Sequence, residues 1–254
     1  MMQQNFKKLF ETGERVAGLF FNAACPEVLE IAAYAGFKFG IIDNEHGSWD
    51  GATHAHMIRA ADAAGMVPIV RVSRIDETEI KKALDCGAAG VMIPGVSSVE
   101  DAKLALKYSK FAPVGMRGAC PYVRANQFSA GDKTKYFDEC NKEQVVIMLI
   151  EGKGGLESFD DIIALEGVNC VFFGPCDMAV SLGHPGEDDH PEVIAAITDM
   201  IARAKAKGVY CGMMGFDGKD SRYWLDKGAD YVCALSDVGL FFEVCKKTMR
   251  EINE

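Results

Sequence analysis

The sequence predicts an α/β protein folded as a single (β/α)8 TIM barrel. Three observations point there. Short apolar runs of strand length alternate with longer helix-like segments along the chain, the pattern of a parallel sheet. One helix candidate after another is closed by a glycine in the place of a left-handed cap, at Gly36, Gly65, Gly87, Gly167, Gly208 and Gly228. Eight strand–helix units then fit into 254 residues, the number and length of a closed eight-stranded barrel. The doubly wound alternative lacks its fingerprint, since no strand leads into G-x-G-x-x-G or a P-loop.

Taken in order, a polar start gives way to a first strand over Val16 to Asn22 and a helix over Pro26 to Ala35. A strand over Phe37 to Asp43 follows, then an alanine-rich helix from Ala52 to Ala64. Val67 to Val72 is the third strand, Asp76 to Cys86 the helix after it, Val91 to Pro94 the fourth strand and Ser98 to Lys110 its helix. Between Pro113 and Glu143 the rhythm breaks. That stretch holds Gly115, Gly118, Pro121 and Gly131 with little periodicity, which predicts a long loop (113–143) over or beside the active site, as a lid or a subunit contact. Arg117 and Arg124 lie in it, either to meet an anionic substrate or to form surface ion pairs. The fifth strand is Gln144 to Glu151, and the sixth, Cys170 to Phe173, is stopped by Gly174 and Pro175. Asp177 to Gly183 reads as one or two helical turns, and Val209 to Met214 and Tyr231 to Leu235 complete the eight strands.

Composition narrows the functional class. With 49% hydrophobic and 25% charged residues the chain has an ordinary core and surface. A net charge of -10 argues against a nucleic-acid binder. Nine cysteines with no C-x-x-C pair suggest reduced thiols in a cytoplasm. The longest apolar runs are strand-sized and Met1 to Arg15 lacks the apolar run of a signal peptide, so a cytoplasmic location away from membranes is expected.

The chemistry gathers at the carboxyl ends of the strands. The fifth strand ends in Glu151, and the sixth is followed by Gly174, Pro175, Cys176 and Asp177. Two acids on adjacent strand ends suit one hard divalent cation. Taken singly, Asp177 could cap a helix and Glu151 could be a salt-bridged strand end. After the second strand stands Asp43-Asn44-Glu45-His46-Gly47, where His46 is a candidate general acid/base beside a carboxylate that can fix its tautomer. Arg71, ending the third strand, adds a fork that can polarise a carbonyl or bind a carboxylate. Asp85 sits near a helix carboxyl end, unfavourable with the dipole, which hints at a role elsewhere. His54, His56, His184 and His190 are given no role.

These stretches resemble a known family. D-x-E-H-G at Asp43 to Gly47, VRV at Val70 to Val72, LDCGAAGVMIP at Leu84 to Pro94, PVGMRG at Pro113 to Gly118, IE at Ile150 to Glu151 and GPCDMAVSLG at Gly174 to Gly183 occur in order over nearly the whole chain. Together they look like the metal-dependent (class II) pyruvate aldolases of the 2,4-dihydroxyhept-2-ene-1,7-dioate and 2-dehydro-3-deoxyglucarate aldolase family, in the citrate-lyase-like phosphoenolpyruvate/pyruvate barrel superfamily. The resemblance implies a homohexamer, a trimer of dimers exchanging the last helix. It implies that Glu151 and Asp177 bind Mg²⁺, Mn²⁺ or Co²⁺, that Arg71 holds the keto oxygen, and that His46 paired with Asp43 moves the proton. Asp85 would reach into a neighbouring subunit's site. The backbone N–H groups of Cys176 and Asp177, after Gly174 and Pro175, would receive the pyruvate carboxylate, as helix N-termini favour anions.

Cleavage between C3 and C4 of a 4-hydroxy-2-oxo acid leaves electrons on C3 as the enolate of pyruvate, so a Lewis acid and Arg71 are the expected stabilisers. A Schiff-base route needs a lysine projecting from a barrel strand, and the strand cores hold none past Lys38. The family usually carries glutamine where Leu149 stands, and EGKGG places Lys153 close to the metal; both bear on substrate range. Within the superfamily the rivals are an oxaloacetate decarboxylase and an acyl-CoA hydroxy-acid lyase, and from another class a non-catalytic keto-acid-binding barrel.

Overall fold

The computed structural model describes residues 5–47 and 51–254, so Met1 to Gln4 of the polar start lie outside it. The eight strands are β1 Val16–Phe21, β2 Phe39–Asp43, β3 Val67–Arg71, β4 Gly90–Ile93, β5 Val145–Ile150, β6 Cys170–Phe173, β7 Tyr210–Gly215 and β8 Tyr231–Ser236. Each pairs in parallel with the next, and β8 closes on β1. Around them lie α1 Pro26–Tyr34, α2 Gly51–Ala64, α3 Glu77–Asp85, α4 Val99–Ser109, α5 Lys133–Glu143, α6 Lys153–Glu157, α7 Phe159–Ile163, α8 Pro175–Leu182, α9 Pro191–Ala206, α10 Gly218–Asp226 and α11 Asp237–Asn253. The six glycines read as caps all have φ between 71° and 111°. That left-handed conformation penalises any residue with a Cβ.

Strand alternation decides what faces inward. Val16 and Phe20 of β1, Phe39 and Ile41 of β2, Val67 and Ile69 of β3, Val145, Ile147 and Leu149 of β5, and Phe172 of β6 fill one apolar cluster with Tyr231 and Cys233. Their neighbours Phe21, Ile42, Val70, Val146, Met148, Ile150, Val171 and Phe173 pack outward against the helices in a second, larger cluster. Continued by one step of two, the inward series reaches Asn22, Asp43, Arg71, Glu151 and Gly174. The period-two side-chain rule thus carries polar residues to the carboxyl mouth.

The amino mouth is closed by a 3-10 helix over Phe6–Thr12, which the reading of a polar start did not foresee. Phe6 is fully buried and meets the rings of Phe39 and Tyr231 edge-on at 5.1 and 5.2 Å, while Phe10 stacks on Tyr210 at 4.2 Å. Asn5 caps this turn by accepting from the Lys7 N–H at 2.9 Å and is tied to Glu143.

The stretch 113–143 is more regular than its composition suggests. It contains a 3-10 segment at Arg124–Ser129 and the three-turn helix α5, whose N-cap Asp132 accepts from the Thr134 N–H at 2.9 Å. Periodicity missed α5 because only Tyr136 and Cys140 are buried in it, in a small cluster with Phe111. Arg117 and Arg124 are both used in ion pairs. Arg117 is buried, donating to Asp85 at 2.6 Å and to the Gln144 amide oxygen at 2.7 Å, and Arg124 pairs with Asp62. Asp85, at the carboxyl end of α3, therefore has a cation within its own chain that offsets the unfavourable helix dipole.

Candidate active site at the carboxyl mouth

A cavity of about 270 Å³ opens at the carboxyl ends of the strands. Its floor is apolar, formed by Phe20, Leu149, Phe172 and Met214, and its upper wall is polar, formed by Asn22, His46, Arg71, Glu151, Asp177 and Ser236. Gly174, Pro175 and Cys176 complete the lining. The two acids predicted as a pair thus meet in one cavity together with Arg71 and His46. Asp85 and the residues 113–143 do not line it.

Asp43 and Arg71 face each other because β2 and β3 pair in that register. Arg71 donates through Nε and Nη2 to the two Asp43 oxygens, each at 2.8 Å, a bidentate fork on a fully buried carboxylate. Asp43 also accepts from Asn22 Nδ2 at 2.6 Å and from the backbone N–H groups of Glu45 and His46 at 3.1 and 3.5 Å. The expected pairing of the His46 ring with Asp43 is therefore corrected. Asp43 is committed to Arg71, Asn22 and the turn backbone, and the His46 Nε2 lies 4.0 Å from Glu45 Oε2, with the side chain 67% exposed. Glu45 also pairs with Arg71 Nη1 at 2.9 Å, so two carboxylates and the Phe20 ring, 4.8 Å below the guanidinium carbon, fix the arginine. Burial lowers the Arg71 pKa, but the Asp43 hydrogen bonds and charge more than offset it, and the net shift is upward.

Glu151 sits where β5 ends. Its Oε1 accepts from the Gly95 N–H at 2.7 Å. A Cβ on Gly174 would stand 3.0 Å from both Cβ and Oε2 of Glu151, so glycine lets the next strand end approach this closely. Burial, joined by the negative charges of Asp177 and Glu45, pushes the Glu151 carboxyl up to about 7, against the Gly95 N–H and Arg71. Glu45 is raised too, chiefly by burial. At Glu151 the neighbouring acids outweigh Arg71, and a divalent cation between carboxylate oxygens fits that donor set. Burial of the thiol and the neighbouring Asp188 push Cys176 up to about 12, away from thiolate character at neutral pH.

Sequence reasoning missed Asn22, Glu45, Gly95 and Ser236. Asn22 carried a usable signal, because it continues the inward series Val16, Gly18, Phe20. Gly95 and Ser236 carried none, since their roles depend on where the loops after β4 and β8 fold back. Another grouping able to gather a cation, His184, His190 and Glu192, lies outside the cavity. Its contacts have a local explanation. His190 Nδ1 caps α9 by accepting from the Glu192 N–H at 3.3 Å, and His184 Nε2 lies 2.8 Å from Glu192, its ring stacked on that of His190.

Comparison with known proteins places this geometry. Residues 16–243 match the HpcH/HpaI aldolase/citrate lyase family. The chain is 36% identical over 230 residues to a 5-keto-4-deoxy-D-glucarate aldolase of Citrobacter koseri, covering 91% of this chain and 89% of that protein. Among solved structures, the HpcH/HpaI aldolase from Desulfitobacterium hafniense superposes with a TM-score of 0.92 at 29% identity, covering 98% of this chain and 97% of that one. A HpcH/HpaI aldolase/citrate lyase family protein from Burkholderia cenocepacia superposes at 0.91 with 31% identity, covering 98% of each chain. The chain belongs to the HpcH/HpaI aldolase/citrate lyase family, as a carbon–carbon lyase of the metal-dependent, class II aldolase type.

Proposed function

We propose that the protein cleaves 4-hydroxy-2-oxo acids reversibly to pyruvate and an aldehyde, with Glu151 and Asp177 as the ligands of its divalent cation. The observation that carries this reading is the convergence of Glu151, Asp177, Arg71 and His46 on one cavity at the carboxyl mouth. When bound, the cation (Mg²⁺, Mn²⁺ or Co²⁺) supplies Lewis-acid stabilisation of the negative charge that develops on the keto oxygen. Arg71, held rigid by Asp43 and Glu45, meets the same oxygen with a fixed charge at no cost of reorganisation. His46, exposed at the rim, takes the 4-hydroxyl proton as the C3–C4 bond breaks, and Asp43 supports it through the turn backbone. The substrate carboxylate lies at the N–H groups of Cys176 and Asp177. There Gly174 is the N-cap, no side chain caps α8, and Pro175 sets the first turn.

The relatives' name supplies a first substrate to try. Counted from its keto end, 5-keto-4-deoxy-D-glucarate is itself a 4-hydroxy-2-oxo acid, and its cleavage gives pyruvate and a three-carbon hydroxy aldehyde acid. We place the protein in the cytoplasm; among the described residues no helix is long and apolar enough to cross a membrane. Its assembly is a homohexamer, a trimer of dimers that exchange α11, with Asp85 facing a neighbouring subunit's site while still paired with Arg117 of its own chain. In support, α11 is buried only at Asp237 and presents Phe241, Phe242, Val244, Met249 and Ile252 to the outside. The test is pyruvate release from 5-keto-4-deoxy-D-glucarate and simpler 4-hydroxy-2-oxo acids. Activity should vanish after EDTA and return with Mg²⁺, Mn²⁺ or Co²⁺; full activity in metal-free buffer would refute the reading.

A further inference from the structure

At the junction of β8 and α11 the backbone departs from regular geometry. Leu235 has φ 72°, a left-handed conformation that a leucine avoids. The β1–β8 pairing also shifts register there, passing from Gly18 opposite Cys233 to Phe20 opposite Ser236. Such an irregularity persists only where neighbouring contacts impose it. Here it delivers two side chains in succession. Ser236 turns into the cavity and caps α11, accepting from the Gly239 N–H. Asp237 turns the other way and is buried, although it does not line the cavity.

The Asp237 carboxylate is a clamp on the end of β1. Its Oδ1 accepts from the Asn22 N–H at 2.9 Å and its Oδ2 from the Ala23 N–H at 3.1 Å, with the Val238 N–H at 2.8 Å as a third donor. The segment so pinned carries Asn22, whose amide donates to Asp43 Oδ2 at 2.6 Å, the oxygen that also receives Arg71 Nη2. Hydrogen bonds therefore run without a break from Asp237 through Asn22 and Asp43 to Arg71. Without the Asn22 donor, Asp43 Oδ2 would be left with Arg71 alone, free to draw the guanidinium deeper and away from the cavity.

We propose that Asn22, held in place by Asp237, is a positioning residue that sets the aim of Arg71 through Asp43. It sits on the cavity wall, and its effect on catalysis passes through the Asp43–Arg71 pair. The inference rests on Arg71 being the group that meets the keto oxygen, so the test begins by checking that residue separately.

Four proteins are compared in pyruvate release at saturating metal: wild type, Asn22→Asp, Arg71→Lys and the double variant, with enough enzyme to bring the slow ones into range. Asn22→Asp keeps the shape of the side chain but replaces its donor with a second carboxylate against Asp43. Loss of one hydrogen bond to a charged group predicts a fall of about ten- to a hundredfold in kcat/KM. In the Arg71→Lys background, where the fork is already lost, the same change should cost less than about threefold, because the two residues act as one unit. Asn22→Ala and Asp237→Asn should reproduce the loss with a conserved circular dichroism spectrum, and serve in place of Asn22→Asp should that variant fold poorly. Tolerance of the isosteric Asp, or an equal loss in both backgrounds, would overturn the inference by making Asn22 mere wall. An Arg71→Lys enzyme with wild-type turnover would instead overturn the assignment of Arg71, and this inference with it.

Discussion

The two mouths of the barrel are formed by the same strands under the same alternation, yet they are filled in opposite ways. At the amino mouth the inward positions are Val16, Phe39, Val67, Val145 and Tyr231, sealed by Phe6 and Phe10 of the N-terminal 3-10 helix. At the carboxyl mouth the same rows end in Asn22, Arg71 and Glu151 around an open cavity, with Asp43 buried behind Arg71. The first end removes rings from water; the second buries a carboxylate beside other acids, and burial first, then Asp177 and Glu45, push Glu151 up to about 7. One mouth stabilises the fold, and the other holds electrostatic strain that a divalent cation would relieve.

Perturbing the two ends should therefore have opposite consequences. The largest loss of activity is expected from Glu151→Gln or Asp177→Asn, each of which should abolish metal-dependent pyruvate release in a steady-state assay while leaving a folded barrel. His46→Ala should slow cleavage of 4-hydroxy-2-oxo acids by about a hundred- to ten-thousandfold, the usual contribution of an acid–base group. Oxaloacetate decarboxylation, which starts from a carboxylate and needs no hydroxyl deprotonated, should survive in that variant to a much larger extent; equal losses would make His46 a builder of the site. Arg71→Lys should cost more than its conserved charge suggests, because an ammonium cannot span Asp43 and Glu45 while facing the cavity. Turnover close to wild type would make Arg71 structural.

Stability should move the other way. Phe6→Ala, which empties the amino mouth, should cost about 3–5 kcal/mol in denaturant unfolding with kcat nearly unchanged in the folded fraction. Glu151→Gln should instead stabilise the metal-free protein at pH 8. The sign follows from linkage. The folded-state pKa of Glu151 lies near 7, above its ordinary 4.5, so the folded chain binds more protons between those values and stability declines as pH rises through that window. Above it the wild type carries the full penalty and the amide variant none; below about pH 4.5 the difference should disappear. Thermal melts of both proteins across that range would read it.

Much of this contrast was legible in the chain alone. The six capping glycines and the short apolar runs give the barrel, because both reflect local requirements, a left-handed turn and a buried strand. The convergence of Glu151, Asp177, Arg71 and His46 on one cavity was readable because each stands at, or a few residues beyond, the carboxyl end of an apolar strand. What was hidden depends on register and loop return. The bidentate Asp43–Arg71 fork needs β2 and β3 paired in one particular offset, and it corrected the expected His46–Asp43 pair. Helix α5 escaped because two buried side chains make too faint a stripe, and the amino-terminal plug because Phe6 and Phe10 stand among lysines. Asp237 gave no sign, since its partners are backbone amides more than two hundred residues earlier.

The most direct test of the contrast is a titration of the metal-free protein with Mn²⁺, following free ion by electron paramagnetic resonance, for wild type, Glu151→Gln and Phe6→Ala. The wild type should bind one Mn²⁺ tightly per chain, weakening about tenfold per pH unit below pH 7 as the Glu151 proton must be displaced. Phe6→Ala, still folded, should keep that site and Glu151→Gln should lose it. Undiminished Mn²⁺ binding by Glu151→Gln would contradict the account, because the metal would then lie somewhere other than the carboxyl mouth.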